Sequence, residues 1–500
     1  MPNSATLPLP TPRRRRSRAV RLAVFGLAAV VLAAGLGLVV WWKFFRSEPQ
    51  PLADERARFH YGSLGAELVA GIPYPIFMIL PRVFPDLVER YATEGYGPEK
   101  PAYGGYGAFG LVWEEGERLP VGLSIKRLGQ ERVTLNCALC HTASYRPAAD
   151  ASPQFAVGGP AHTLNLQGLL RFLIAASHDR RFTAARLMPE IALHFPLDAL
   201  DYATYSLVLI PKTRAALRLA ERELGWMERK PAWGPGRDDA FNLPKFILTQ
   251  TPWDDTVGNT DFPALWRLRN RTGGLLHSAG EAKSLYAVVA TSAIGIGSLP
   301  SAAFELRNEW LESFIAKLEP PPFPGRVDTE LARHGEQIFT SSCAGCHAEN
   351  GARTGTAIPL AEIGTDPEHV LAWRQHNADR MNTVVRLLGA ANADIQGAQD
   401  GYLAKPLVGV WLLGPYLHNG SVPTLRDLLS PPEQRPRVFY RGYDVVDTEN
   451  IGFISTGPEA AARGFRIDTV QRGNGNAGHE YGTGLSEPDK RALLEYLKTL

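Results

Sequence analysis

The chain has 500 residues, 45% hydrophobic and 21% charged, a balance that argues against disordered and collagen-like proteins and allows two or three domains. The net charge is +2, but six arginines lie within residues 1–21. Without them, 47 basic residues face 51 acidic ones, which speaks against a nucleic-acid partner. Four cysteines are too few for a disulfide scaffold.

Residues 1–21 form a basic tail, and Leu22 to Trp42 follow without a charge. A helix of that length, rising about 1.5 Å per residue, crosses a hydrocarbon core. The arginines ahead of it predict a cytoplasmic tail and an exported remainder. WWKFF follows where a cleaved signal would carry small residues. The expectation is therefore a single-pass inner-membrane anchor over 22–42, with the folded region in the periplasm.

Residues 47–60 read as a polar tether, and the Gly, Pro and Tyr of 61–120 predict loops. VGLSIKRLGQERVTLNC alternates and reads as extended. It leads into Cys137-Ala-Leu-Cys140-His141, and a second such motif is Cys343-Ala-Gly-Cys346-His347. C-x-x-C-H is the pattern of covalent haem c attachment. Two thiols three positions apart add to the two vinyl groups of one porphyrin, and the next histidine reaches the iron. A structural zinc site would gather its ligands through short loops, whereas these pairs lie 206 positions apart. The motifs use every cysteine, so two haems are expected.

Residues 163–225 carry apolar residues at helical spacing, and PAWGPGRDDAFNLPKF reads as loop. LEPPPFPGRVD, residues 318–328, is the expected boundary between a haem domain at 47–319 and a second at 326–500. DTELARHGEQIFTSSCAGCH looks like the first helix of a c-type cytochrome. LSEPDKRALLEYLKTL is a capped closing helix. Gly335 would let Tyr496 approach where the two cross. The fold class is thus mainly α with long irregular loops: two cytochrome c-like haem domains behind a transmembrane helix.

The second axial ligand decides what a haem does. Near the second motif, Met381 reads as core, His334 as pointing away, and His369 and His376 as solvated. His479, just before the closing helix, is the leading ligand candidate. His418, in GPYLHNGS, is the second, with a role beside a ligand favoured over ligation itself.

GVWLLGPYLHNGSVPTLRDLL resembles bacterial dihaem cytochrome c peroxidases, with His479 standing where that family has a Met. A closer resemblance is to the dihaem rubber oxygenases. It runs through GIPYPIFMILPRVFPD, GAFGLVWEEGERLPVG, LNCALCHTASYR, GPGRDDAFN and GNGNAGHEYG, nearly the whole chain after residue 60. The resemblance implies that His141 serves an oxygen-binding haem, while His347 and His479 hold a low-spin one that transfers electrons. It implies an apolar distal pocket containing Phe241 and Trp226, with Trp233 as the rival tryptophan. Rubber oxygenases are secreted and this chain carries an anchor run, so the substrate is expected only to be apolar and olefinic, a small molecule or a polymer. The related peroxidases leave open a structural Ca²⁺.

Three functions follow as expectations. One is dioxygen activation for oxidative cleavage. The second is a peroxidase, needing an acid–base group such as Glu281, Asp255 or Asp261. The third is a plain electron carrier, in which His162 would ligate the first haem. Each needs a redox partner protein.

Overall fold

The computed structural model describes residues 13–46, 52–65, 71–100, 104–269, 274–390 and 392–500. The first twelve residues of the basic tail and residues 47–51 of the tether lie outside the described residues. The protein is mostly helical, with short two- and three-stranded sheets. One long helix, Arg13–Phe44, opens the chain. Its stretch Val20–Lys43, with mean hydropathy 2.6 and no buried surface, is long and apolar enough to cross a membrane.

The extended reading before the first motif holds. Leu123–Leu128 and Gln130–Leu135 form an antiparallel hairpin turned at Gly129 (φ +72°), and Ile72–Pro73 pairs with its outer edge. The helices over 163–225 are present as Leu166–His178, Ala184–His194, Ala199–Thr204 and Ile210–Leu224, with a π-helical turn at Tyr205–Leu209.

Two loop expectations are corrected. Within 61–120 stand the helices Tyr74–Val83 and Pro85–Thr93. Pro75 and Pro85 fall in first turns, where no amide donor is needed. Pro81 sits inside the first helix and removes the amide that would bond the Phe77 carbonyl. The Tyr106 hydroxyl donates to that carbonyl instead, at 2.8 Å, and its ring stacks on Phe77 at 4.1 Å. Tertiary structure thus repairs what the proline breaks. Within PAWGPGRDDAFNLPKF, Arg237–Asp239 pairs with Asn259–Asp261, and Asn242–Ile247 is helical.

The apolar interior has three main clusters. The first is drawn from residues 74 to 262. The second packs Ala138 and Phe241 with the helix Leu285–Gly295 and with Trp373, Met381 and Val385. The third packs Ala143, Tyr145 and Trp266 with Phe339, Trp411 and Leu493. The last two take residues from both sides of the Pro-rich segment 318–328.

The helix Thr329–Ser342, capped by Asp328, crosses the closing helix Glu487–Leu497 as Gly335 predicts. A Cβ built on Gly335 would lie 1.9 Å from the Ala492 carbonyl oxygen and 2.9 Å from Cβ of Tyr496.

Candidate haem sites

Each C-x-x-C-H motif is presented differently. At the first, the hairpin delivers Asn136, whose side-chain oxygen accepts from the Ala138 amide (2.9 Å) and caps the turn Cys137–Leu139. Its amide nitrogen donates to the His60 carbonyl (3.0 Å) and to Ser124 (2.9 Å). At the second, the helix Thr329–Ser342 runs into Cys343, and a single turn, Ala344–His347, follows. No disulfide joins any of the four cysteines.

The two motif histidines share one arrangement. His141 Nδ1 lies 2.9 Å from the Pro263 carbonyl, and His347 Nδ1 lies 2.7 Å from the Lys405 carbonyl. A carbonyl only accepts, so Nδ1 carries the proton and Nε2 presents its lone pair. That is the tautomer an axial ligand needs. Burial lowers the pKa of His347 and pushes His141 down to about 4, keeping both neutral near pH 7.

His479 faces His347 with ring centroids 6.1 Å apart. Two imidazoles on opposite sides of one metal, each bonded at roughly 2 Å, place their centroids roughly 6 Å apart. Burial pushes His479 to about 4, and its Nδ1 is buried without a hydrogen-bond partner. The donor set therefore fits an iron held between His347 and His479. His141 makes no ring contact with another described histidine.

The His479 loop is held from several sides. Its backbone is left-handed (φ +47°) and its amide donates to the Ile363 carbonyl at 2.7 Å. The buried Arg435 guanidinium donates to the carbonyls of Asn476 (2.6 Å), Gly478 (2.8 Å) and His479 (3.3 Å). Asn419 bonds the carbonyls of Gly473 and Gly475, and Ser421 bonds Gly475 (2.9 Å). Arg237 reaches the Asn419 carbonyl (3.0 Å) and the Asn474 side chain (2.8 Å). GPGRDDAFN, GPYLHNGS and GNGNAGHEYG thus meet in space. Gly420 (φ +60°) is required there, since a Cβ would lie 2.3 Å from Asp261 Oδ2 and 2.4 Å from Arg441.

His418 does not face His347. Its ring stacks on Tyr402 at 3.8 Å and lies 5.8 Å from His369. His369, expected to be solvated, is buried (1% exposed). Its Nδ1 lies 2.9 Å from the Gly258 carbonyl, its Nε2 lies 2.7 Å from Ser278, and its ring stacks on Phe241 at 4.2 Å. A polar helix periodicity does not register a partner loop arriving from elsewhere in the chain. Burial lowers the pKa values of His277 and Lys405, although both keep accessible surface. Among the described residues no carboxylate pairs with Lys405.

Phe241 and Trp226 lie on different sides of the first motif. Phe241 shares a cluster with Ala138, whereas Trp226 shares one with Leu139 and Cys140. Trp226 packs on Phe246 (5.3 Å) and Trp233 (6.1 Å), and the indole nitrogens of both tryptophans are buried without an acceptor. Of the acids, Asp255 is exposed and Asp261 pairs with Arg441 at 2.8 Å. Glu281 is buried and accepts from the Ala279 amide (3.2 Å), and burial raises it to about 7. His162 packs on Phe453 at 4.4 Å, with Nε2 unpartnered.

Sequence reading missed Arg435, whose role depends on a loop 40 residues away. It also missed His60, a buried ring whose Nδ1 lies 3.0 Å from Glu114 and whose Nε2 has no partner. Among the described residues no group of three or more His, Cys, Asp or Glu side chains is arranged to hold a metal ion by itself.

Both motifs have the pattern of covalent haem c attachment. Residues 401–440 match the family described as RoxA-like, cytochrome c-like, and a cytochrome c-like domain implies covalently bound haem c. The matched span holds Tyr402, Lys405, His418 and Arg435. Two curated relatives come from Sinorhizobium fredii, and both are named only as uncharacterized proteins. One, y4iJ, is 30% identical over 256 residues, 38% of this chain and 42% of its own length. The other, y4iM, is 28% identical over 286 residues, 48% of this chain and 64% of its own length. The chain therefore spans less than two thirds of either relative. A RoxA-like cytochrome domain is consistent with a haem-dependent oxidoreductase.

Proposed function

We propose that the protein is a membrane-anchored periplasmic dihaem c-type oxidoreductase that uses dioxygen to cleave an apolar, olefinic substrate. Cys137, Cys140 and His141 hold the reactive haem. Cys343, Cys346, His347 and His479 would hold the second, whose task would be electron transfer. The observation that carries this reading is an asymmetry among the described residues: His347 stands ring to ring with His479 at 6.1 Å, whereas His141 has no such ring contact and is near enough to His277 only for charge to be felt. Haem at the first site would supply dioxygen activation. The chain's own part is to hold His141 neutral through the Pro263 carbonyl and to keep water away. Phe241 is an apolar wall that offers no acid to the reacting oxygen, while Trp226, fully buried on the other side of the motif, supports the site from its interior packing. A redox partner protein supplies electrons through the second site.

A peroxidase is the second reading, favoured by Glu281 alone. A carboxyl titrating near pH 7, close enough to Lys405 for the two charges to act on each other, is suited to moving a proton between peroxide oxygens.

The deciding experiment is an absorption and EPR spectrum of the air-purified holoprotein, before and after reduction and CO. One bis-histidine low-spin signal beside a CO-reactive haem supports an open reactive iron. Two low-spin haems indifferent to CO would leave only a carrier. Olefin turnover under air, with peroxide as control and Glu281→Gln as comparison, separates the two enzyme readings.

A further inference from the structure

The end of the long N-terminal helix is tied to the folded region. Lys43, in its last turn, pairs with the carboxylates of Asp198 and Asp201, the latter at 3.2 Å. The Gln130 side chain also donates to Asp201 (3.1 Å), and the Gly129 amide donates to the Arg46 carbonyl (3.4 Å). These contacts fix residues 193–208 beside the point where the apolar run ends.

That segment carries exposed apolar side chains at close spacing: Leu193, Leu200, Tyr202, Leu207 and Val208, with Leu193 at 74% and Leu207 at 77% exposure. Elsewhere in the folded region, exposed apolar residues such as Leu306, Leu387 and Val470 are separated by long stretches of sequence, which is ordinary. In the π-helical turn Tyr205–Leu209, Tyr205 and Leu209 are buried while Leu207 and Val208 are left outside. Lys43 offsets one of the two negative charges of the segment, and Lys212 is exposed beyond it. Trp41 and Trp42, exposed at the helix end, suit the same interfacial depth.

We propose that the face formed by Leu193, Leu200, Tyr202, Leu207 and Val208 rests in the headgroup region of the phospholipid bilayer that the N-terminal helix crosses. This rests on reading Val20–Lys43 as a membrane span. A lipid-dissolved substrate would then meet the protein without passing through bulk water.

The test uses the full-length holoprotein in nanodiscs of phosphatidylethanolamine and phosphatidylglycerol. Nitroxide labels are placed singly by Leu32→Cys, Leu207→Cys and Leu387→Cys, with the unsubstituted chain as labelling control and an unchanged Soret spectrum as the check on folding. Relaxation by oxygen, which partitions into lipid, is compared with relaxation by a water-soluble nickel chelate. The expected result is a lipid signature at Leu32, an interfacial one at Leu207, several-fold richer in oxygen contact than Leu387, and an aqueous one at Leu387. A Leu207 label as accessible to nickel as Leu387, with Leu32 in lipid, overturns the docking face while the span stands. An aqueous Leu32 label overturns both. A Leu207 label hidden from both reagents points to a protein contact and overturns the lipid occupant.

Discussion

At the scale of single residues, the second site depends on where His479 is held. His479→Ala is expected to remove the bis-histidine low-spin EPR signal, whereas His418→Gln leaves it, because the His418 ring is occupied with Tyr402. Arg435→Met takes away the donor to three carbonyls of the His479 loop. It should broaden or lose the same signal at unchanged helix content by circular dichroism. The sequence singles out His479 by its place before the closing helix, and the structure sets its ring 6.1 Å from that of His347. Arg435 is not singled out, since one arginine looks like another until its acceptors are known. The buried histidines also set a pH dependence. His277 and His369 have folded pKa values of about 4 against an ordinary value near 6.5. Between those values the unfolded chain binds more protons, so stability falls as pH drops through that window, on the order of 3 kcal/mol per histidine. Glu281, raised to about 7, acts in the opposite sense and costs stability as pH rises from about 4.5 to about 7. Urea midpoints between pH 4 and 7 should flatten on the acid side in His369→Gln and on the neutral side in Glu281→Gln.

At the scale of elements, the crossing of Thr329–Ser342 with Glu487–Leu497 can be tested directly. Gly335→Val would force side-chain atoms against the Ala492 carbonyl and Tyr496. Overpacking of this kind costs about 1–3 kcal/mol, read as a lowered Tm, while Gly484→Ala, with nothing within 4 Å, should leave Tm nearly unchanged. This pair was legible because both helices carry their signals locally: caps, a three-to-four apolar period and one glycine. The hairpin before Cys137 was legible for the same reason, from alternation. The helix Tyr74–Val83 was not, because its prolines read as breakers. What allows Pro81 is the Tyr106 hydroxyl, 25 positions later, and no local pattern contains it. Arg237–Asp239 was missed because a three-residue strand is too short to show a period. It exists because Asn259–Asp261 pairs with it.

At the scale of the whole molecule, the two motif-bearing halves are joined by polar contacts as well as by the two apolar clusters that draw on both. Arg441 pairs with Asp261, and buried Arg237 lies close enough for its charge to be felt at both. Two guanidiniums share one nearby carboxylate, with Asp238 raised to about 7 by burial and by Asp239. Removing the charge of Asp261 would leave two buried cations without their counter-ion. Losing one partner of a buried pair costs about 3–5 kcal/mol, so Asp261→Asn should lower the urea midpoint markedly. The same variant should affect the candidate site at His347 and His479, since Arg237 also supports Asn419 and through it the His479 loop. Because the joining contacts belong to both halves, the unsubstituted protein is expected to unfold in urea as one unit, with tryptophan fluorescence and the Soret band changing together. In Asp261→Asn the two probes should separate, the Soret band responding first as the His479 loop loosens. Coincident transitions in that variant would mean that Trp266, Phe241 and their apolar neighbours couple the halves without help from the buried charges.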